Sequence, residues 1–123
     1  MVPGACFYIL SAGKTGHGSN WAIGVATEDA YAPATTGIYN IALEEFKGLA
    51  AKNRQQMWYF DAEHGTINSM ARDDGVLFEG FNKNLIVYKY QNMDNQKFRY
   101  LEVLKEWENV STGNVFDVQD GWA

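Results

Sequence analysis

The sequence predicts an all-β domain assembled from a repeated unit, and three observations carry that reading. Short runs of β-branched and aromatic residues, about four to six long, alternate with turn clusters along the chain, the rhythm of a sandwich or barrel. Gln56-x-Trp58 and Gln96-x-Phe98 repeat a glutamine, one spacer and a large aromatic, and the two aromatics lie 40 residues apart, a spacing typical of internal repeats. Each triplet also follows a run that ends in an aromatic, Ile41 to Phe46 and Leu85 to Tyr90. Aligning Phe46 with Tyr90 and Trp58 with Phe98 requires only a four-residue insertion around Gly48 to Lys52, and insertions of that kind sit in loops.

Taken in order, Phe7 to Ser11 is a β-prone run closed by the Gly-rich stretch Gly13 to Asn20. Its Gly13-Lys14-Thr15 is not a phosphate-binding loop: that motif needs a glycine where Tyr8 stands and a helix afterwards, whereas the strand-like Trp21 to Val25 follows. Thr27 to Thr36, small, polar and interrupted by Pro33, reads as a loop. Gly37 to Phe46 contains helix-favouring Ala, Leu and Glu, but the echo at 85–90 decides for a strand with Ile41 and Leu43 inward, leaving room for a helical turn between Glu44 and Ala51. Met57 to Asp61 is the next strand, and Ala62 to Gly65 a turn into Thr66 to Ser69. Asp73-Asp74-Gly75 turns the chain into Val76 to Gly80, Asn82 to Asn84 turns it again, and Leu85 to Tyr90 and Lys97 to Leu101 complete a second unit. Val103 to Val110 and Asn114 to Val118 open a third. The units are 7–65, 66–102 and 103–123, one domain in all, and on a threefold plan the third is about two strands short. The expectation is that a longer parent chain or a second copy completes it, because open strand edges invite pairing.

Composition narrows the function. Ten Lys and Arg against fifteen Asp and Glu give a net charge of -5, and the basic residues form no stripe, so nucleic acid is a poor partner. Cys6 is the single cysteine and is expected as a small buried side chain, so no intrachain disulfide forms; with only His17 and His64 beside it, a structural zinc site lacks ligands. No run approaches the roughly 20 apolar residues of a membrane span, and the start lacks a signal h-region, so a soluble chain is expected and its compartment is left open. Neither histidine has an evident Ser or Cys partner, and no spacing argues for two carboxylates across one cleft, so neither catalysis nor a cofactor is expected. Asn109-Val110-Ser111 fits the N-glycosylation pattern but comes without an export signal. Seven Tyr, seven Phe and four Trp serve either a core or a stacking platform.

Gln56-x-Trp58 followed by Gly65-Thr66-Ile67, its second copy Gln96-x-Phe98, and Val115-Phe116-Asp117-Val118 resemble the ricin B-type β-trefoil lectins. The resemblance implies a six-stranded barrel capped by three hairpins, with the triplet side chains mainly in the core, and a non-catalytic module that binds galactose-type glycans in shallow sites on its repeats. Each site in such lectins combines an acid, an aromatic and an Asn beside the triplet Gln. A pyranose offers hydroxyls that a carboxylate and a carboxamide satisfy together, and a C–H face that lies on an aromatic ring. In the second unit the matching residues are Glu79, Tyr90, Asn95 and Gln96, with Glu for the usual Asp and a shortened loop from Gln91 to Asp94. The first unit has Gly24 where the acid belongs and Gln55 for Asn, with Phe46 to stack and Glu44 or Asp29 as a substitute acid. The third unit has Asp117 and no following residues to complete a pocket. The plainer alternatives are a solvated edge residue for Glu79 and a half-buried ring for Tyr90, in a trefoil that serves as a protein-interaction or inhibitor scaffold through loops such as 27–36. Convergence of Glu79, Tyr90 and Asn95 on one concave face discriminates the two.

Overall fold

The structure is a computed structural model that describes residues 5–10, 21–30, 38–80, 84–104 and 106–117. The Gly-rich stretch 13–20, the later part of 27–36, and the turn residues Asn82 and Lys83 lie outside the described residues. Among the described residues eleven strands are formed: β1 (Cys6–Phe7), β2 (Ile9–Leu10), β3 (Trp21–Val25), β4 (Ile38–Glu45), β5 (Trp58–Asp61), β6 (Thr66–Ser69), β7 (Val76–Glu79), β8 (Leu85–Tyr88), β9 (Phe98–Leu101), β10 (Glu106–Asn109) and β11 (Val115–Asp117). Among the described residues no helix is long and apolar enough to cross a membrane.

The strands form two sheets, an eight-stranded one in the order β1-β5-β6-β7-β8-β4-β3-β2 and a three-stranded one in the order β11-β10-β9. β1 and β2 are halves of one segment interrupted at Tyr8, and they pair with β5 on one side and β3 on the other. The two ends of the large sheet therefore meet in consecutive residues, and the sheet curls into a barrel-like ring, which leaves few open edges.

Tertiary contacts account for three departures from the sequence reading. Thr27 to Ala30 forms a single helical turn, α1, instead of a loop: Ala26 O accepts from Asp29 N and Ala30 N, both at 2.9 Å, and Ala30 is buried. Leu43 is 47% exposed: only residues 38–40 of β4 pair with β8, and residues 41–45 pair with β3 alone. Cys6 is partly exposed: side chains alternate along a strand, and Phe7 takes the inward place in β1.

Aromatic packing fills the core. Trp107 is fully buried, stacks on Phe7 at 5.3 Å and meets Phe60 and Tyr100 at 5.0 Å each, so β1, β5, β9 and β10 converge on one indole. On another side, Arg72 Nε donates to Asp74 Oδ1 at 3.1 Å, its Nη2 donates to the Tyr39 hydroxyl at 2.6 Å, and that hydroxyl donates to Asp74 Oδ2. Burial, and then donation to Asp74, push the Tyr39 hydroxyl above its usual pKa. This network fastens β4 to the turn between β6 and β7.

The repeated triplets perform one repeated task. Gln56 Nε2 donates to Glu45 O at 3.1 Å, and Gln96 Nε2 donates to Lys89 O at 2.8 Å. Glu45 and Lys89 immediately precede Phe46 and Tyr90, so the hydrogen bonds reproduce the alignment of the two runs. Each glutamine closes a 3-10 turn, 54–56 or 94–96, and holds the aromatic two residues on, Trp58 or Phe98, in the core. Ser69 and Asn109 form a second repeated device at the ends of β6 and β10. Ser69 Oγ accepts from the amides of Ala71 and Arg72, and Asn109 Oδ1 from those of Ser111 and Thr112, all within 3.2 Å. Asn109 is 1% exposed, so the folded chain does not present it for glycosylation.

Gln96 also accepts from Gln91 N and Met93 N, which makes it the anchor of the whole β8–β9 connection. Replacing it with Leu orphans those two amides and the Lys89 carbonyl, and Gln96→Leu is expected to lower stability by about 2–4 kcal/mol in urea unfolding.

Candidate carbohydrate-binding site

Glu79 is the last residue of β7, paired with Leu85, and alternation turns it inward on the same face as the buried Leu77. It is 6% exposed, and a carboxylate that deep needs compensating donors. Asn114 Nδ2 supplies one to Oε1 at 2.9 Å, and the Thr112 hydroxyl supplies another to Oε2. Bonds of this kind to an ionised acceptor are the stronger class. Asn95 Nδ2 donates to the Glu79 backbone carbonyl at 3.2 Å, and Asn109 Nδ2 donates to Asn95 O at 3.1 Å. Strand β7, the 94–96 turn and the β10–β11 turn are thus fastened around one acid.

Beside this hub lies an open cavity of about 480 Å³, with Glu79, Asn109 and Asn114 on its polar side and Leu85, Phe98 and Val115 on its apolar side. That size lies within the roughly 300–1,000 Å³ of small-molecule sites.

The structure brings Asn95 to the Glu79 backbone carbonyl, but neither Asn95 nor Tyr90 is among the residues lining this cavity, so the expected convergence of Glu79, Tyr90 and Asn95 on one concave face is not met there. Tyr90 is 39% exposed, its hydroxyl donates to Asn92 Oδ1 at 3.0 Å, and its ring meets His64 at 5.0 Å. Gln96 is fully buried, with both ends of its amide engaged by the backbone.

In the first unit Gln55 plays the part of Asn95, donating to Val25 O at 3.3 Å and to Thr27 Oγ1 at 3.1 Å. Val25 pairs with Ile41 as Glu79 pairs with Leu85, so the place that corresponds to the acid is Val25, one residue beyond Gly24. Gly24 is required for another reason: a Cβ there would stand 2.5 Å from Gln55 O. Phe46 packs against Tyr8 at 4.9 Å, Glu44 accepts from the Thr27 hydroxyl, and Asp29 accepts from Asn40 N. In the third unit Asp117 pairs with Glu106. Because Asn109 N bonds Asn114 O as Ser69 N bonds Gly75 O, the backbone register sets Asp117 level with Phe78, one residue before the level of Glu79. The Asp117 side chain lies outside the described residues.

Thr112 and Asn114, which donate to Glu79, carried no signal of that role, and Asn109, which donates to Asn95 O, was marked only by its glycosylation pattern. Asp61 and His64 were likewise missed. Asp61 ends β5, its Oδ1 accepts from Glu63 N and His64 N, and its Oδ2 lies 2.7 Å from His64 Nδ1. The bond to Asp61 raises the His64 pKa above its ordinary 6.5, and the same bond, against a smaller opposing effect of burial, lowers that of Asp61. Ligand-type atoms of Asp61, Glu63 and His64 lie within 4.8 Å of one another on this exposed turn, but His64 Nδ1 is committed to Asp61, and exposed acids grouped in this way do not make a metal site.

No protein-family model and no curated protein matches this sequence. Among solved structures it is similar to the β-trefoil lectin of the Vibrio vulnificus hemolysin/cytolysin, determined with N-acetyl-D-lactosamine bound. The match has a TM-score of 0.63 at 15% identity and covers 99% of this chain and 94% of that one. The fold of this chain is therefore a β-trefoil.

The Asp61–His64 pair has a defined pH window. The raised His64 pKa gives stability that is lost as pH rises through it; the lowered Asp61 pKa gives stability that is lost as pH falls through it. An NMR titration is expected to find His64 ionising above 6.5 and Asp61→Asn returning it towards that value.

Proposed function

We propose that this chain is a non-catalytic carbohydrate-binding module of ricin B-type character, taking galactose-type sugars at shallow sites on its repeats and chiefly on the second. The observation that carries the reading is the convergence of the Glu79 carboxylate and the Asn114 carboxamide with the apolar side chains of Leu85, Phe98 and Val115 around one open cavity, where Asn109 serves the frame, its carboxamide being taken up by Asn95 O and the amides of Ser111 and Thr112. Acid, amide and apolar surface are the three things a pyranose needs, since its hydroxyls both donate and accept and its C–H face is apolar. The trefoil lectin of similar fold, solved with N-acetyl-D-lactosamine bound, supports the sugar class. The internal donors on Glu79 hold its side chain in one orientation. Tyr90 offers a separate stacking surface on the same repeat, and Asn95 holds the frame from behind. The first unit, with Val25 at the acidic place and Phe46 packed on Tyr8, is read as degenerate.

A glycan array and titration calorimetry with N-acetyllactosamine test this. Asn114→Ala and Tyr90→Ala are each expected to weaken binding about tenfold while unfolding remains cooperative, in line with the loss of one strong hydrogen bond or one stacking face. An array without hits at high protein concentration would end the sugar reading.

One observation favours the second reading, a protein-interaction scaffold. Val103 and Leu104, at the turn between β9 and β10, are 95% and 63% exposed. If that turn docks a protein, a silent array would accompany a bound partner that the double variant Val103→Glu, Leu104→Glu loses. Glycan binding that persists in this variant would assign the turn no part in sugar recognition.

A further inference from the structure

Outside the Glu79 cavity, the turn between β5 and β6 meets the segment that follows β8. The turn contributes His64 and the segment contributes Tyr90, and their rings stand edge to face at 5.0 Å and 65°. Both remain accessible, Tyr90 at 39% and the His64 side chain at 43%. Each is tethered at one polar end: the Tyr90 hydroxyl donates to Asn92 Oδ1, and Asp61 Oδ2 holds His64 Nδ1 at 2.7 Å. Asn92 itself sits at a φ of 56°, a left-handed conformation that asparagine tolerates better than most residues.

The tether on Nδ1 sets the imidazole tautomer. With Nδ1–H directed at Asp61, the neutral ring presents Nε2 as an acceptor, and the protonated ring presents it as a charged donor. A part-exposed tyrosine ring 5.0 Å from a part-exposed imidazole offers the two chemistries that the C–H face of a sugar and an adjacent hydroxyl take up. The surrounding charges select among sugars. Asp61 and Glu63 belong to the turn itself; Tyr90 and Asn92 face it from the segment after β8; Lys97, whose side chain lies about 3.9 Å from the Cβ position of Gly65, approaches from the β8–β9 connection and pairs with Asp94 at 4.0 Å. The acids Asp61, Glu63 and Asp94 outnumber Lys97 and the exposed Lys89 that precedes Tyr90, so the surface disfavours an anionic sugar and favours a neutral one.

We infer that Asp61 and His64 extend the sugar site of the second unit: a neutral galactose-type glycan lies on the Tyr90 ring, and one of its hydroxyls bonds to His64 Nε2. This rests on the carbohydrate-binding reading above and adds to it a specificity-determining histidine supplied by the preceding hairpin, with Asp61 as its positioning residue.

Calorimetry with N-acetyllactosamine from about pH 8 to about pH 5.5 tests it on the intact chain and on His64→Gln, Asp61→Asn and Tyr90→Ala, since that range spans imidazole ionisation. The native chain is expected to bind about threefold to fivefold more tightly at the acid end, where the hydrogen bond becomes charge-assisted. His64→Gln is expected to bind weakly with no pH slope. Asp61→Asn keeps an oxygen for the Glu63 and His64 amides, so the turn persists, and its slope moves to lower pH. If His64→Gln keeps the native affinity and slope while Tyr90→Ala loses binding, the inference is wrong and the carbohydrate reading stands. If Tyr90→Ala binds like the native chain while Asn114→Ala does not, the sugar lies in the Glu79 cavity alone and the inference is again wrong. If the native chain binds no glycan, the carbohydrate reading fails and takes the inference with it.

Discussion

A backbone carbonyl that leaves a sheet and becomes buried must find a donor, and in this chain the donor is a glutamine side chain. Gln56 and Gln96 reach back to Glu45 and Lys89 at the ends of their third strands, and in doing so they set where each 3-10 turn begins and where each following strand enters the barrel. The two copies are not equally complete. Gln96 also accepts from two loop amides, whereas Gln56 Oε1 has no partner among the described residues. The first loop also carries an extra 3-10 turn, Leu49 to Ala51, that the second lacks. The tighter loop is the one that displays Tyr90 and Asn92, so the better-anchored repeat is also the one with chemistry on its surface.

The second constraint operates between units. Glu79 belongs to the second repeat, and both of its side-chain donors, Thr112 and Asn114, belong to the third. The cavity wall is therefore assembled from two repeats, and its shape depends on how they sit against one another. Trp107 does the same in the core, drawing aromatic rings from β1, β5 and β9 onto β10.

What was legible in the sequence followed from local repetition. Alternating runs and the echo of Ile41–Phe46 in Leu85–Tyr90 placed the strands, and the Gln-x-aromatic triplets marked core positions. The finer placement of site residues was not legible, for physical reasons. A shift of one residue along a strand exchanges inward and outward faces, which is why Gly24 stood in for Val25 and why a half-exposed Tyr90 could be assigned beside an inward Glu79. The partners of Glu79 lie 33 and 35 residues away in another repeat and leave no periodic trace. Leu43 misled because it is apolar and in register, yet stands on the part of β4 that has β3 as its one partner strand and no β8 beside it. His64 is a single residue in a turn, and its role depends wholly on what β8 and the segment after it bring alongside.

The split segment at residues 6–10 also constrains the order in which the molecule can assemble. Strands β5 to β8 pair with their sequence neighbours across short connections, so that meander requires little loop closure. The ring is completed only by two distant pairings, β1 with β5 and β4 with β8, which join stretches roughly fifty residues apart and are intrinsically slow to form. Until both exist, β5 and β8 present bare edges to other chains. The chain is thus most exposed to misassociation after the β5–β8 meander has formed and before β1 and β4 have paired with its two edges.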